Sequence, residues 1–242
     1  MKSFLKCYRI EFLKGRHTII YPLHMGLPVL FILGINTLLR WRRFENLEVD
    51  SFIGGCFQIL CMFMPLISSV ICSLVMEQEV EAGNYQNLLA SYYSRTPIII
   101  SKLSMLMTLC ALSIGLILLG IFVTLPLFWE SIPISHLQLI RLGFKFWFCS
   151  ISLYMIHLFL VFGFGKGVCT VVGFLGVLLS ALGKYSPFDF VGYFIPQTWA
   201  VRMTSSSYQH PVELGIRLTL TLILALALII WFNLSENIES HD

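Results

Sequence analysis

The sequence predicts an all-α integral membrane protein with six transmembrane helices. Of its 242 residues 57% are hydrophobic and only 12% are charged, whereas an average soluble domain carries about 25% charged residues. A soluble domain of this length exposes too much surface to water to hide so apolar a composition. Long apolar runs also recur along the chain, and a helix needs about 20 such residues to cross a bilayer.

The chain is predicted to be one transmembrane domain, 1–242, that begins with an interfacial helix at residues 1–16. In "KSFLKCYRIEFLKGR" the apolar and the basic residues separate onto different sides of a helix, as in helices that lie on an anionic leaflet. The apolar side comprises Phe4, Leu5, Tyr8 and Phe12, and the basic side comprises Lys2, Lys6, Arg9 and Lys14.

Six apolar segments follow this helix and are the predicted spans. They lie near residues 17–39, 51–76, 104–129, 143–165, 167–183 and 214–235. Pro22, Pro28 and Pro65 predict bends in the first two. Residues 184–212 are rich in aromatic residues and too irregular to cross the membrane, so this segment is predicted to re-enter it or to form an aromatic belt at its outer face.

With six spans both termini lie on the same side of the membrane. Five cations precede the first span (Lys2, Lys6, Arg9, Lys14, Arg16) and three follow it (Arg40, Arg42, Arg43), whereas eight flank each side in total. Cytoplasmic flanks are enriched in Lys and Arg, and the first helix usually dominates. We therefore predict cytoplasmic termini, which also places residues 77–102 in the cytoplasm.

Several kinds of active site are excluded by motifs that the chain lacks. There is no G-x-x-x-x-G-K-[ST] phosphate loop, since "GFGKG" at 163–167 has the wrong spacing, and no H-E-x-x-H or G-x-S-x-G. No catalytic residue and no metal site are predicted, and a dispersed net charge of +3 predicts no nucleic-acid partner. The spans hold almost no charge, which argues against a proton-coupled carrier.

The segment 77–102 interrupts this apolar chain with an ordered series of signals. Glu77, Glu79 and Glu81 follow the second span, Gly83 predicts a bend, and a short helix with Leu88 and Leu89 toward the membrane comes next. Thr96-Pro97 then starts another helix, because proline suits a first helical turn, and Lys102 leads into the third span. The segment is either an ordinary hydrated loop or a contact site for a partner protein that drives the activity of this one.

The pattern E-x-E-x-x-x-G-x-x-x-x-L-L, followed by "SRTPIIISKL", resembles the cytoplasmic segment of ABC-2-type transporter permeases. The resemblance implies that this segment docks on a separate ATPase. It assigns that coupling role to Glu77, Glu79, Glu81, Gly83, Leu88, Leu89 and Lys102. Pro97 stands later than the proline that is frequent in the family.

The basic start, the six-span layout and the size most resemble the lantibiotic-immunity permeases. This implies the type V exporter-like ABC-2 architecture in a bacterial cell membrane, a second permease that is related or identical, and an ATPase dimer that binds ATP and Mg²⁺, so this chain binds no cofactor. The cargo implied is an amphipathic cationic peptide. Residues predicted to face it are Trp129, Glu130, Phe188, Asp189, Tyr193, Phe194 and Trp199. Two alternatives stay open: another amphiphile (a bacitracin-type peptide, a lipid or a drug) and a non-transporting immunity or sensor protein.

Overall fold

The computed structural model describes residues 2–16, 18–41, 49–81, 96–129, 135–183, 189–204 and 211–234, which are almost entirely helical. The helices are α1 (Lys2–Gly15), α2 (Ile20–Trp41), α3 (Val49–Glu81), α4 (Thr96–Phe128), α5 (His136–Leu182), α6 (Asp189–Phe194), α7 (Pro196–Thr204) and α8 (Pro211–Leu234). Five of the described helices, α2, α3, α4, α5 and α8, are long and apolar enough to cross a membrane.

Helix α5 turns back on itself at one residue. A straight helix of 47 residues would be about 70 Å long, more than twice the hydrocarbon thickness. Gly165 has φ 85° and ψ 173°, a conformation that is essentially confined to glycine. The Cys169 thiol lies 3.5 Å from the carbonyl oxygen of His157, although twelve residues of straight helix extend about 18 Å. Helix α5 therefore consists of two antiparallel arms, 136–164 and 166–182, which overlap the predicted segments 143–165 and 167–183.

Helix α3 packs against both arms of α5. The Ser68 hydroxyl lies 3.0 Å from Nδ1 of His157 in the first arm, and the Cys169 thiol of the second arm lies 3.6 Å from the carbonyl oxygen of Ser69. The second arm approaches closely at the buried residue Gly173, where an added Cβ would lie 2.1 Å from the Ser69 hydroxyl. A small residue at this crossing is what brings the three helical segments together.

Helices α1 and α2 pack on α4, and α2 makes little contact with α3. The Tyr8 hydroxyl is 2.9 Å from that of Thr108. Tyr8 and Phe12 pack on the protein core, whereas Leu5, predicted to share their face, is exposed. Lys14, predicted for the basic side, points toward the bundle. Tyr8 and Phe12 are thus covered by α4, and Lys14 departs from the predicted basic side because it pairs with Glu79 of α3.

Helices α6 and α7 fold back onto the end of the bundle. The Ser180 hydroxyl near the end of α5 donates to the carbonyl oxygen of Gln197 at 2.5 Å. The Trp199 indole donates to the carbonyl oxygen of Tyr193 at 2.9 Å. These bonds satisfy polar groups in the short helices and hold the segment that joins α5 to α8.

The conformation of Gly165 leads to a first prediction. Gly165→Ala should lower the free energy of unfolding by about 1–3 kcal/mol, because an L side chain disfavours this backbone conformation. The matched control is Gly167→Ala, at an exposed helical position with no atom near the added Cβ, where alanine is favoured over glycine. Thermal unfolding in detergent, followed by tryptophan fluorescence, measures both. Equal midpoints for the two variants would contradict the reversal.

Candidate functional site

Four charged side chains from three helices meet where α1, α3 and α4 come together. Nζ of Lys102 in α4 lies 2.6 Å from Oε2 of Glu11 in α1 and also bonds Oε1 of Glu79 in α3. Nζ of Lys14 in α1 donates to both carboxylate oxygens of Glu79, at 2.8 and 3.1 Å. We call Glu11, Lys14, Glu79 and Lys102 the charge cluster.

The charge cluster is electrically balanced, and three of its four members are buried, whereas about a third of the Lys14 side chain is exposed. Lys102 is 0% exposed, and Glu11 and Glu79 are each 3% exposed. Burying a charge is costly unless it is paired, and here two ammonium groups face two carboxylates. Burial lowers the pKa of Lys14, but the charges of Glu11 and Glu79 outweigh that effect and raise it. The cluster is therefore an ionic tie between helices.

Local sequence places each member of the cluster. Glu11 and Lys14 are three residues apart and share one side of α1, Glu79 lies in the last turn of α3, and Lys102 lies in the second turn of α4. The Gln78 amide adds a hydrogen bond of 2.7 Å to the Thr18 hydroxyl, between α3 and the α1–α2 elbow. Both ends of the segment 82–95 are thereby anchored, through α1.

The predicted coupling residues separate into two groups. The carboxylate of Glu77 lies 2.7 Å from Nζ of Lys166, and both side chains are about half exposed. Glu81 is also exposed. Glu79 and Lys102 are turned inward into the charge cluster, so their predicted outward contact is replaced by ion pairs within the chain. Gly83, Leu88 and Leu89 lie outside the described residues.

The predicted peptide-facing residues do not form one surface. Trp199 is fully buried and hydrogen-bonded, so its predicted exposure to a substrate is wrong. The Tyr193 ring lies 4.8 Å from the Arg202 guanidinium, Trp129 packs on Phe52, and Phe194 is exposed. Among the other predicted members, Glu130 and Phe188 lie outside the described residues, and only the backbone of Asp189 is described.

A second buried group of charges lies at the end of the bundle away from α1, and sequence reasoning missed it. Glu213 accepts from Arg217 at 2.5 Å and lies 3.6 Å from Arg202, with all three residues at most 3% exposed. We call these three residues the distal cluster. The available signal was the four-residue spacing of Glu213 and Arg217, which pairs them on a helix.

An apolar cavity of about 360 Å³ lies between α2, α3, α4 and α5. Exposed Leu30 and Ile59 flank it on α2 and α3, so it opens sideways where these two helices separate. Its polar groups are few: the Ser113 hydroxyl donates to the carbonyl oxygen of His24 at 2.7 Å, and the hydroxyl of Tyr154 is 3.5 Å from Nε2 of His24. An apolar lining with few polar groups is typical of sites for hydrophobic ligands.

Within the described ranges no group of three His, Cys, Asp or Glu side chains is arranged to hold a metal ion.

The charge cluster can transmit a displacement between α1, α3 and α4, because its buried ion pairs resist separation.

The identity of the chain follows from a comparison with known families. Residues 8–172 match the sequence model of a family described as ABC-2 family transporter protein. The chain belongs to the ABC-2 family. Membership makes it a multi-pass membrane permease of an ABC transporter, which works with an ABC ATPase partner. A search of curated proteins gave no match.

The matched region of this ABC-2 permease covers more than half of the chain. It contains the whole charge cluster and the segment 82–95, whereas the distal cluster lies beyond residue 172. The tie between α1, α3 and α4 therefore lies in the part of the chain that identifies the family.

Proposed function

We propose that this ABC-2 permease is the membrane subunit of an ATP-driven exporter that removes a lantibiotic or similar antimicrobial peptide from a bacterial cell membrane. The observation that carries the proposal is the charge cluster, which fastens α1, α3 and α4 on both sides of the segment 82–95. The lantibiotic class rests on the resemblance of the sequence to immunity permeases, and the sideways-opening apolar cavity supports an amphipathic cargo.

We propose six membrane crossings, one for each arm of α5 and one each for α2, α3, α4 and α8. Contacts at one end of the bundle support this topology: Lys166, next to the reversal, pairs with Glu77 at the end of α3. Asn233 at the end of α8 donates to Thr96 at the start of α4 at 2.8 Å. Both termini then lie on the cytoplasmic side with the charge cluster.

In this arrangement the ATPase contacts the segment 82–95. Exposed Glu77 and Glu81, with Gly83, Leu88 and Leu89, form the proposed contact, and Glu79 and Lys102 position it from within. When nucleotide binding closes the ATPase dimer, the segment moves, and the charge cluster carries α1, α3 and α4 with it as a rigid body. A second permease, related or identical, completes the transporter.

The proposed cargo meets two regions of the permease. Its apolar part enters the cavity between α2 and α3 from the bilayer. At the outer end, the proposed contacts are exposed Phe194 together with Trp129, Glu130, Phe188, Asp189 and Tyr193, where aromatic rings and carboxylates suit an apolar, cationic peptide.

Reversing the exposed charges tests the ATPase contact. Glu77→Lys combined with Glu81→Lys should reduce co-purification of the ATPase with the permease about tenfold, equivalent to about 1.4 kcal/mol. Thermal stability should change little, because exposed ion pairs contribute about 0–1 kcal/mol. The matched control is Asp50→Lys at the opposite end of α3. Undiminished co-purification of the double variant would refute the proposed contact.

A resistance assay tests the cargo. Cells carrying the permease and its ATPase should tolerate higher concentrations of a lantibiotic than cells lacking the permease, with no gain against an unrelated drug. A gain against bacitracin alone would favour the other amphiphile class. Protection that persists without the ATPase would show a non-transporting immunity protein instead.

A further inference from the structure

A cleft of about 690 Å³ lies between α1 and the start of α2. Its lining combines two arginines with aromatic and aliphatic side chains: Tyr8, Arg9, Phe12, Leu13, Arg16 and Tyr21. We call it the α1–α2 cleft. It is separate from the charge cluster, which occupies the side of α1 that faces the bundle.

The wall of the α1–α2 cleft is built by a close helix–helix contact. The Tyr21 hydroxyl donates to the carbonyl oxygen of Phe12 at 3.0 Å, and its ring lies against Gly15, where an added Cβ would be 2.6 Å from Tyr21 Cε2. The Tyr8 and Phe12 ring centroids are 4.9 Å apart. Glycine at position 15 thus lets Tyr21 reach α1 and close one side of the cleft.

The two arginines of the cleft are available for an anion. Arg9 and Arg16 are seven residues apart on the same side of α1 and both are exposed. Neither forms an ion pair within the described residues, and the carboxylates of Glu11 and Glu79, on the side of α1 that faces the bundle, are engaged by Lys14 and Lys102. The α1–α2 cleft therefore presents two uncompensated positive charges.

The surroundings of the cleft are those of a bilayer interface. Leu13 is 63% exposed and Ile19 is 59% exposed, and the membrane helix α2 begins at Ile20. A ligand that reaches both arginines therefore has apolar side chains beside it on the side where the hydrocarbon begins. This combination fits a molecule with an anionic head and an apolar tail better than it fits a fully soluble anion.

We propose that the α1–α2 cleft binds the phosphate headgroup of an anionic phospholipid through Arg9 and Arg16. Guanidinium groups suit phosphate oxygens because they donate two parallel hydrogen bonds, and basic pockets between helices bind anionic headgroups in other membrane proteins. The site needs only that α2 enters the membrane beside it, so it stands independently of the export proposal. Glu11 and Lys14 lie on the opposite side of α1. A lipid in the cleft therefore contacts the same helix that carries half of the charge cluster.

Lipid titration of the full-length protein in a nonionic detergent tests the site. Native mass spectrometry measures the binding of a short-chain phosphatidylglycerol, with phosphatidylcholine of the same chain length and inorganic phosphate as separate arms. Arg9→Gln with Arg16→Gln removes both guanidinium–phosphate contacts and should weaken phosphatidylglycerol binding about 25-fold, equivalent to about 2 kcal/mol. Arg40→Gln with Arg141→Gln, two exposed arginines at the other end of the bundle, should leave it unchanged.

Three results would overturn the proposal. Equal binding of the two phospholipids would show that the charge of the headgroup does not determine binding, and equal losses in both double variants would show nonspecific electrostatic attraction. Displacement of phosphatidylglycerol by inorganic phosphate, with the same dependence on Arg9 and Arg16, would assign the cleft to a soluble anion. Thermal unfolding of the variants verifies that they remain folded, and Arg9→Lys with Arg16→Lys, which retains the charge, should lose less than fivefold.

Discussion

Lys102→Met is expected to lower the free energy of unfolding of the permease by about 3–5 kcal/mol, because removing one partner of a buried ion pair leaves a charge without compensation. Lys102 is fully buried against Glu11 and Glu79, and Lys14 alone would remain to balance the two carboxylates. The thermal midpoint should fall by about 6–20 °C for a chain of this length. Co-purification of the ATPase should fall as well, since α1 and α3 lose their tie to α4.

A double variant distinguishes the loss of stability caused by unbalanced charge from the loss caused by poorer packing. Lys102→Met with Glu11→Gln restores one cation to one carboxylate, Lys14 with Glu79, and should recover at least half of the lost stability. The matched control is Lys166→Met, which removes a half-exposed partner of Glu77 and should cost no more than about 1 kcal/mol. If Lys102→Met behaves like Lys166→Met, the charge cluster does not hold α1, α3 and α4 together.

Glu213→Gln should have a comparable effect at the other end of the molecule. Glu213 lies against Arg217 and Arg202, and the amide leaves two buried guanidinium groups without the carboxylate of α8. We expect a loss of about 3–5 kcal/mol, measured by thermal unfolding in detergent. The distal cluster joins α7 to α8, so amide hydrogen exchange in the described first turns of α8 should also become faster.

The control for this prediction keeps volume and removes charge. Glu213→Leu with Arg217→Met replaces the closest pair by apolar side chains, and such replacements are often neutral. Arg202 retains its contact with the Tyr193 ring and the carbonyl oxygen of Gly183. The double variant should therefore be more stable than Glu213→Gln; a further loss instead would contradict the assignment of the loss in Glu213→Gln to uncompensated buried charge.

The sequence predicts the apolar helices well because composition and length decide which segments cross hydrocarbon. The ends of the helices are predicted less accurately. Helix α3 continues to Glu81, so the three glutamates lie on its last turns, and α8 begins at Pro211, three residues before the predicted span, with Glu213 inside it. Because the spans are predicted as runs without charged residues, a predicted helix is too short where its terminal charged residues form ion pairs within the bundle.

The candidate site could be predicted only in part. Glu79 and Lys102 stand out in the sequence because they are charges beside apolar runs, but nothing local shows that they face each other. Their third partner, Glu11, is 91 residues from Lys102, and only the packing of α1 on α4 brings it there. The sequence predicts a break between the spans 143–165 and 167–183, but the backbone angles of Gly165 that produce it are not encoded by a motif, and "GFGKG" stands out only as an incomplete phosphate loop.

The short second arm of α5 has a consequence for the surrounding lipid. Residues 166–182 extend about 25 Å as a helix, less than the roughly 30 Å of an average hydrocarbon core. In the proposed arrangement of six crossings, the second arm creates a hydrophobic mismatch along its exposed residues Val171, Phe174 and Leu178. The bilayer must thin there, at a cost of a fraction of a kcal/mol per Å. In that arrangement the permease deforms the membrane locally, and thinner bilayers should accommodate it at lower cost.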